Sequence, residues 1–210
     1  MARDLLIIGA GGHGRVCAEI AQAMDFRVVG FCDAAMKAGT QVNGIPVVAS
    51  SLEEAFSQDR INGAAVFVAL GDNARRMELL DEAHGRGLDC PALVHPSAVV
   101  SPSCVVGPGS VLVAMAVANA NTHIGRGCIL NTACTVDHDN RLADGAQLCP
   151  GVHAAGNVTI GPRAFIGTGA VIIPGMTIGA NAVVAAGAVV TANVADSEHV
   201  AGVPARSMRS

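Results

Sequence analysis

The sequence predicts a small α/β domain over residues 1–94, followed by a parallel β-helix over residues 95–210. In the first part, short apolar runs alternate with segments whose apolar residues recur at helical spacing, which is typical of α/β folds. In the second part, an aliphatic residue recurs at every sixth position from Val100 to Val190 without a slip. A repeat of this kind indicates a solenoid in which each coil stacks on its neighbours.

The elements of the first part follow one another as strand and helix. Strands are predicted at 5–9, 27–31, 64–70 and 90–94, and helices at 14–24 and 72–85. Asp72 or Asn73 is expected to cap the second helix, because short polar side chains accept hydrogen bonds from the first backbone N–H groups of a helix. The result is a mostly parallel unit of about half the usual doubly wound size.

Proline and glycine keep the register of the six-residue repeat. All five prolines between residues 100 and 190 lie two residues after a repeat aliphatic, and seven glycines lie three residues after one. Because proline fixes φ and glycine permits positive φ, a proline–glycine pair marks a corner. The position four residues after the aliphatic is nearly always small, which predicts a thin core of stacked aliphatic side chains.

Composition argues against several function classes. The net charge of −4 and the absence of a basic run give no electrostatic signature of nucleic-acid binding. The sequence has no run of 18 apolar residues, so no membrane span is predicted. The N-terminal segment lacks the apolar core of a signal peptide. The seven cysteines form no CxxC pair, so we expect free thiols in a reducing cytoplasm.

The segment GAGGHG, residues 9–14, follows the first predicted strand. Gly9, Gly11 and Gly14 match a dinucleotide-binding fingerprint, and Asp33 ends the next strand where a ribose-binding acid is expected. An NAD-binding regulator or dehydrogenase is therefore one interpretation. However, a glycine turn at a helix N-terminus binds any phosphate, including the diphosphate of a nucleotide sugar. The short domain and the β-helix that follows it favour the nucleotide sugar.

His138, flanked by Asp137 and Asp139, occupies a corner position that is proline in five other repeats. A titratable side chain at a stiff corner departs from the repeat, and such departures tend to be functional. A neutral imidazole works as a general base near neutral pH, whereas the alternative is a solvated corner histidine. No metal site is expected within one subunit, because His123, His138 and His153 are 15 residues apart and so fall on different faces.

Seven segments together resemble the hexapeptide-repeat sugar acetyltransferases, which include sialic acid O-acetyltransferases and nucleotide-linked 4-amino-sugar N-acetyltransferases. These segments are GAGGHG (9–14), FCD (31–33), ALGDN (69–73), HPSA (95–98), NTACTVDHD (131–139), AGNVTIG (155–161) and GVPAR (202–206). The resemblance covers nearly the whole chain. It implies a left-handed β-helix, a homotrimer, acetyl-CoA as co-substrate and a nucleotide-linked amino sugar as substrate, in bacterial surface glycan synthesis and without a metal.

The resemblance also implies roles for individual residues. It makes His138 the general base of a direct attack and Asp139 its orienting carboxylate, with Asp137 as the alternative. Gly156 lies one 18-residue coil beyond His138 and would offer its backbone N–H to the oxyanion. The implied acetyl-CoA contacts are Gln147, Gly156, Thr168, Ala186 and Arg206, and the implied nucleotide-sugar contacts are Gly11, Gly12, His13, Gly14, Asp33, Gly71 and Asn73. The family often has histidine at the position of Gln147, an amide that cannot titrate.

Three other functions compete with N-acetylation at this point. An O-acetyltransferase acting on a sialic acid would need the same base and would differ only in its acceptor. A dehydrogenase or regulator would bind NAD at GAGGHG and would leave His138 unused. A scaffolding β-helix would bind no acetyl-CoA. At this point the nucleotide, the sugar and the acetylated atom, nitrogen or oxygen, remain open.

Overall fold

The structure is a computed structural model that describes residues 2–57 and 63–208. The chain divides into two compact units, Met1–Pro96 and Ser97–Ser210. The predicted fold class is confirmed, because the first unit is a Rossmann-like α/β domain and the second is a left-handed parallel β-helix. Within the described residues, no helix has the length and apolar character that crossing a membrane requires.

The first unit alternates strands and helices. Its elements are β1 (Arg3–Ile8), α1 (Gly12–Ala23), β2 (Phe26–Cys32), β3 (Gln41–Val42), β4 (Ile45–Ala49), α2 (Leu52–Phe56), β5 (Ala65–Val68), α3 (Asn73–Gly85) and β6 (Leu93–Val94). Five strands form one sheet in the order β3-β4-β2-β1-β5, in which only the β3–β4 pair is antiparallel. The inner strand β1, between β2 and β5, has side chains that are almost fully buried from Leu5 to Ile8, as expected for a parallel strand covered on both faces.

Three details of the first unit differ from the prediction. The β3–β4 hairpin went unpredicted although it turns on Asn43-Gly44, whose positive φ angles of 49° and 77° match a tight hairpin turn. Helix α2 went unpredicted although Ser51 caps it by accepting a hydrogen bond from the Glu54 backbone N–H. The strand predicted at 90–94 shrinks to β6, which is not part of the five-stranded sheet.

The second unit winds two-residue strands onto three flat faces. Face 1 contains Val99–Val100, Val117–Ala118, Thr135–Val136, His153–Ala154, Val171–Ile172 and Val189–Val190. Face 2 contains Val105–Val106, His123–Ile124, Arg141–Leu142, Thr159–Ile160 and Thr177–Ile178. Face 3 contains Val111–Leu112, Ile129–Leu130, Gln147–Leu148, Phe165–Ile166, Val183–Val184, His199–Ala201 and the antiparallel Arg206–Ser207. Thr135 pairs with His153, so one coil is 18 residues.

The six-residue repeat fills the interior of the β-helix. From Leu112 to Val190, every repeat aliphatic is at most 3% exposed. From Val105–Val106 to Val183–Val184, the corner after each strand has a left-handed residue three positions beyond the repeat aliphatic. Where that residue is not glycine it is often asparagine, as at Asn121 and Asn157 with φ of 58° and 59°. Short polar residues tolerate this conformation better than most, so the corners keep their shape without glycine.

Candidate active site

His138 and Asp139 form a hydrogen-bonded pair at the corner between face 1 and face 2. The His138 Nδ1 atom lies 2.8 Å from the Asp139 Oδ2 atom, and both side chains are about half exposed. Asp139 occupies the left-handed corner position with φ of 59°. The pair therefore occupies the two corner positions that Pro174 and Gly175 occupy two coils later.

The two aspartates beside His138 have different partners. Asp137 accepts hydrogen bonds from the His138 backbone N–H and from the Asn119 side chain, both at 3.0 Å. Asp139 contacts the imidazole ring and also accepts a 3.2 Å hydrogen bond from the Asn121 side chain. Asn119 and Asn121 were missed in the sequence analysis, although each lies 18 residues before the aspartate that it binds.

The hydrogen bond between His138 and Asp139 shifts the pKa of both side chains. The hydrogen bond to Asp139 raises the pKa of His138, against a smaller lowering by desolvation, and the charges of Asp137 and Asp139 add to the rise. The pKa of Asp139 is lowered, first by the hydrogen bond with His138 and then by that with Asn121. The imidazole is thus a stronger base than an isolated histidine, and its partner stays ionised.

Gly156 lies against the free edge of the His138 ring. A Cβ atom at Gly156 would lie 2.6 Å from the Cε1 atom and 2.7 Å from the Nε2 atom of His138. The backbone N–H of Asn157 donates to the His138 carbonyl at 3.0 Å and holds the two coils in register. Among the described residues, the Gly156 N–H donates no hydrogen bond. The Gly156 backbone therefore packs directly against the imidazole, which leaves no room there for a side chain.

The residues expected at acetyl-CoA do not meet in one subunit. Thr168 and Ala186 stack one coil apart at the corner between face 3 and face 1, where both are exposed. His138 and Gly156 lie at the other corner of face 1. Arg206 is exposed on the last strand of face 3, with its guanidinium donating to the Ala205 carbonyl at 2.8 Å.

Gln147 lies on face 3, which is opposite the corner of His138. Its side chain is only 8% exposed, and its Nε2 atom lies 3.9 Å from the Cys149 sulfur. Its Oε1 atom has no hydrogen-bond partner among the described residues. A contact between Gln147 and acetyl-CoA stays a prediction.

In the first unit, Asp33 ties the glycine loop to the end of β2. Its carboxylate accepts hydrogen bonds from the backbone N–H groups of Ala10 and Ala35, both at 2.8 Å. Gly9 has φ of 99°, and a Cβ atom at Gly14 would lie 2.0 Å from the Gly9 carbonyl oxygen. The loop needs these glycines for its close packing, whereas Gly11 and Gly12 are exposed.

Next to this loop, a cavity of about 360 Å³ opens at the carboxyl ends of β1 and β2. Gly9 and Asp33 line it together with the apolar side chains of Leu52, Leu70 and Leu79. Charged side chains also line it, namely Glu53, Arg75, Glu82 and Arg86, which the sequence analysis did not single out. In open α/β sheets this edge is where ligands bind.

His13 is partly buried at the start of α1. Its Nε2 atom lies 3.6 Å from the Cys17 sulfur. Burial, and then the charge of Arg76, lower the pKa of His13 to about 4. Asn73 begins α3 directly after Asp72, which caps this helix by accepting a hydrogen bond from the Arg75 backbone N–H.

The part of the chain that the structure describes contains no cluster of three His, Cys, Asp or Glu side chains able to hold a metal ion. His153 instead pairs with the Thr135 hydroxyl at 2.8 Å across face 1. All seven cysteines are free.

Comparison with known families assigns both parts of the chain. Residues 4–83 match the PglD N-terminal domain, and residues 157–192 match the hexapeptide repeat of succinyl-transferase. The chain is also 32% identical over 173 residues to the GDP-perosamine N-acetyltransferase of Escherichia coli O157:H7, an alignment that covers 78% of this chain and 75% of that protein.

Two solved structures are similar over nearly the whole chain. The acetyltransferase domain of PglB from Neisseria gonorrhoeae FA1090, in complex with acetyl coenzyme A, is 40% identical with a TM-score of 0.93, covering 99% of this chain and 100% of that one. PerB from Caulobacter crescentus, in complex with CoA and GDP-perosamine, is 42% identical with a TM-score of 0.92, covering 98% of this chain and 97% of that one.

Proposed function

The chain belongs to the nucleotide-4-amino-sugar N-acetyltransferase subfamily of hexapeptide-repeat proteins, and on this basis we propose how its residues carry out the reaction. The protein is an acetyl-CoA-dependent N-acetyltransferase of a nucleotide-linked amino sugar. We propose a GDP-linked 4-amino sugar as its acceptor, because relatives at 32% and 42% identity are named for or solved with GDP-perosamine.

The observation that carries the mechanism is the His138–Asp139 pair beside Gly156. Because the ionised Asp139 can only accept, the proton of a neutral imidazole sits on Nδ1, and Nε2 keeps its lone pair. As the sugar nitrogen attacks the thioester carbonyl and the C–N bond forms, Nε2 takes the proton that the nitrogen loses. When the C–S bond breaks, the imidazolium returns this proton to the CoA thiolate. General base catalysis of this kind contributes about 10²–10⁴-fold in rate.

The Gly156 N–H is proposed as the donor to the oxyanion of the tetrahedral intermediate. Gly156 packs against the ring of the base, and its N–H donates no hydrogen bond among the described residues, so a hydrogen bond to the oxyanion would break no existing one. A single backbone donor of this kind is worth about 10²–10³-fold in rate.

The complete site needs a second copy of the chain. Thr168 and Ala186 lie at a different corner of the prism from His138, so acetyl-CoA that touches both sets bridges two subunits. Closed three-fold symmetry brings such corners together, and we propose a homotrimer. The exposed apolar side chains of Val99 and Met115, which are 61% and 63% exposed, support burial in an interface.

The nucleotide part of the acceptor is assigned to the first unit. The diphosphate would bind at the glycine loop, residues 9–14, and the nucleoside would occupy the cavity beside Asp33, whose volume suits it. The free thiols support a reducing, cytoplasmic location.

A mass-spectrometric transfer assay tests this function. Acetyl-CoA is offered with GDP-, UDP- and dTDP-linked 4-amino sugars and with sialic acid, to the wild type and to His138→Ala. His199→Ala, an exposed histidine of the same β-helix, is the control. We expect one acetyl group on the GDP-linked sugar with the wild type and the control, and almost none with His138→Ala. Acetylation of sialic acid instead of the amino sugars would mean that the enzyme is an O-acetyltransferase. Full turnover by His138→Ala would mean that His138 is not the general base.

A further inference from the structure

Arg76 is a fully buried cation in the first unit. It is 1% exposed and belongs to the buried stripe of α3 together with Met77, Leu80 and Ala83. An apolar residue is expected at such a position, because removing a guanidinium from water is costly. A charge kept in this stripe against that cost suggests a role beyond packing.

The guanidinium of Arg76 holds the turn between β5 and α3. Its Nη1 atom donates to the Leu70 carbonyl at 2.8 Å, and its Nη2 atom donates to the Asn73 Oδ1 atom at 2.7 Å. Since arginine only donates, the Asn73 amide is fixed with its oxygen toward Arg76 and with its NH₂ group as the donor end.

The same turn packs against the glycine loop. A Cβ atom at Gly9 would lie 2.8 Å from both the Ala69 carbonyl oxygen and the Leu70 side chain. The Ala69 backbone N–H also donates to the Ile8 carbonyl at 2.8 Å. A shift of Leu70 is therefore passed directly to the loop that carries His13.

We propose that Arg76 is a positioning residue for the nucleotide sugar: through Leu70 and Asn73 it fixes the turn that supports the glycine loop, without touching the substrate. This inference rests on the proposed function, which puts the diphosphate at that loop. It also accounts for the electrostatics of His13, whose charged form is disfavoured by burial and by Arg76, so that the loop presents an uncharged imidazole.

Steady-state kinetics with GDP-perosamine and acetyl-CoA test the proposal on Arg76→Met and Arg76→Lys. Arg76→Met is expected to raise the KM for GDP-perosamine about tenfold or more, because the charged hydrogen bonds to Leu70 and Asn73 are lost. The kcat value and the KM for acetyl-CoA should stay within about threefold of the wild type, because the base and the oxyanion donor lie in the other unit. Arg76→Lys keeps the charge without the planar fork and should fall in between.

Arg27→Met is the matched control, since it removes an exposed arginine, paired with Asp4, near the amino end of β2 and thus away from the glycine loop. Calorimetric titration with GDP-perosamine should show the same order of affinities as the KM values. If Arg76→Met does not fold, the comparison of Arg76→Lys with Arg27→Met decides the matter. An unchanged KM and affinity in the folded Arg76 variants would overturn this inference alone. A wild type that acetylates no nucleotide sugar would overturn the proposed function as well.

Discussion

The imidazole of His138 is held by the residue that follows it: its Nδ1 atom lies 2.8 Å from the Oδ2 atom of Asp139, whose backbone is left-handed with φ of 59°. The left-handed corner conformation, which the neighbouring coils adopt at Asn121 and Asn157, directs the Asp139 carboxylate toward the His138 ring. This geometry supports the proposed roles of His138 as the general base and of Asp139 as its orienting acid.

The first prediction concerns pH. Because the neutral imidazole is the active form and the Asp139 hydrogen bond raises the pKa of His138, activity of the wild type should rise with pH, with a midpoint above the ordinary histidine value. Asp139→Asn removes the main cause of the rise, so the midpoint should move to lower pH. Loss of orientation should also lower the plateau about 10–100-fold. The measurement is the pH profile of kcat/KM for the acceptor.

Asp137→Asn is the control for this profile. Asp137 binds the backbone N–H of His138 and not the ring, so its removal should move the midpoint less. A larger shift of the pH midpoint in Asp137→Asn than in Asp139→Asn would mean that Asp137, and not Asp139, is the acid that orients His138.

The second prediction concerns Asn119 and Asn121, which lie one coil before Asp137 and Asp139 and form an asparagine ladder with them. Asn121→Ala removes the second hydrogen bond of Asp139 and frees that carboxylate to rotate away from His138. We expect kcat to fall by about tenfold or more, which is the usual effect of losing an outer orienting contact. Asn119→Ala, which removes the same type of contact from Asp137, should cost less. Equal losses in both variants would show that the ladder supports the corner as a whole.

The third prediction concerns Gly156. Gly156→Ala places a methyl group within 2.7 Å of two ring atoms of His138, so the ring must move away from the proposed oxyanion donor. We expect kcat to fall by about 10²–10³-fold. Thermal unfolding should change little, because the change is confined to one corner. Near-normal turnover would mean that the spacing between the His138 ring and the Gly156 backbone does not limit the reaction.

The repeat made the β-helix predictable in detail, because a strict six-residue period leaves little freedom in register. From Leu112 onward each repeat aliphatic is buried, and coils pair at the expected 18 residues. The contact between His138 and Gly156 follows from the same arithmetic. The Asn121–Asp139 bond obeys it too, yet a search for titratable residues alone passes over an asparagine.

Other features depend on tertiary contacts that no short pattern encodes. From the sequence, Arg75 and Arg76 are both expected to be exposed to solvent. In the structure, helix α3 directs Arg76 into the interior, while Arg75 pairs with Glu78 at the surface. The cavity beside Asp33 is assembled from side chains of several elements, among them Leu52 and Leu79. Its lining could not be found from spacing along the chain.

The last prediction concerns Gln147, whose Oε1 atom is buried without a hydrogen-bond partner among the described residues. An unsatisfied buried carbonyl costs about 1–3 kcal/mol, so Gln147→Leu should raise the free energy of unfolding by up to about that amount. Denaturant unfolding of this variant beside Gln147→Glu, which buries a charge and should be destabilised, measures the effect.

The KM for acetyl-CoA, taken on the same Gln147→Leu sample, tests the role implied by the family resemblance. A several-fold rise would mean that the amide reaches the co-substrate in the assembled enzyme. An unchanged KM together with higher stability would mean that Gln147 is a buried polar side chain with no part in binding.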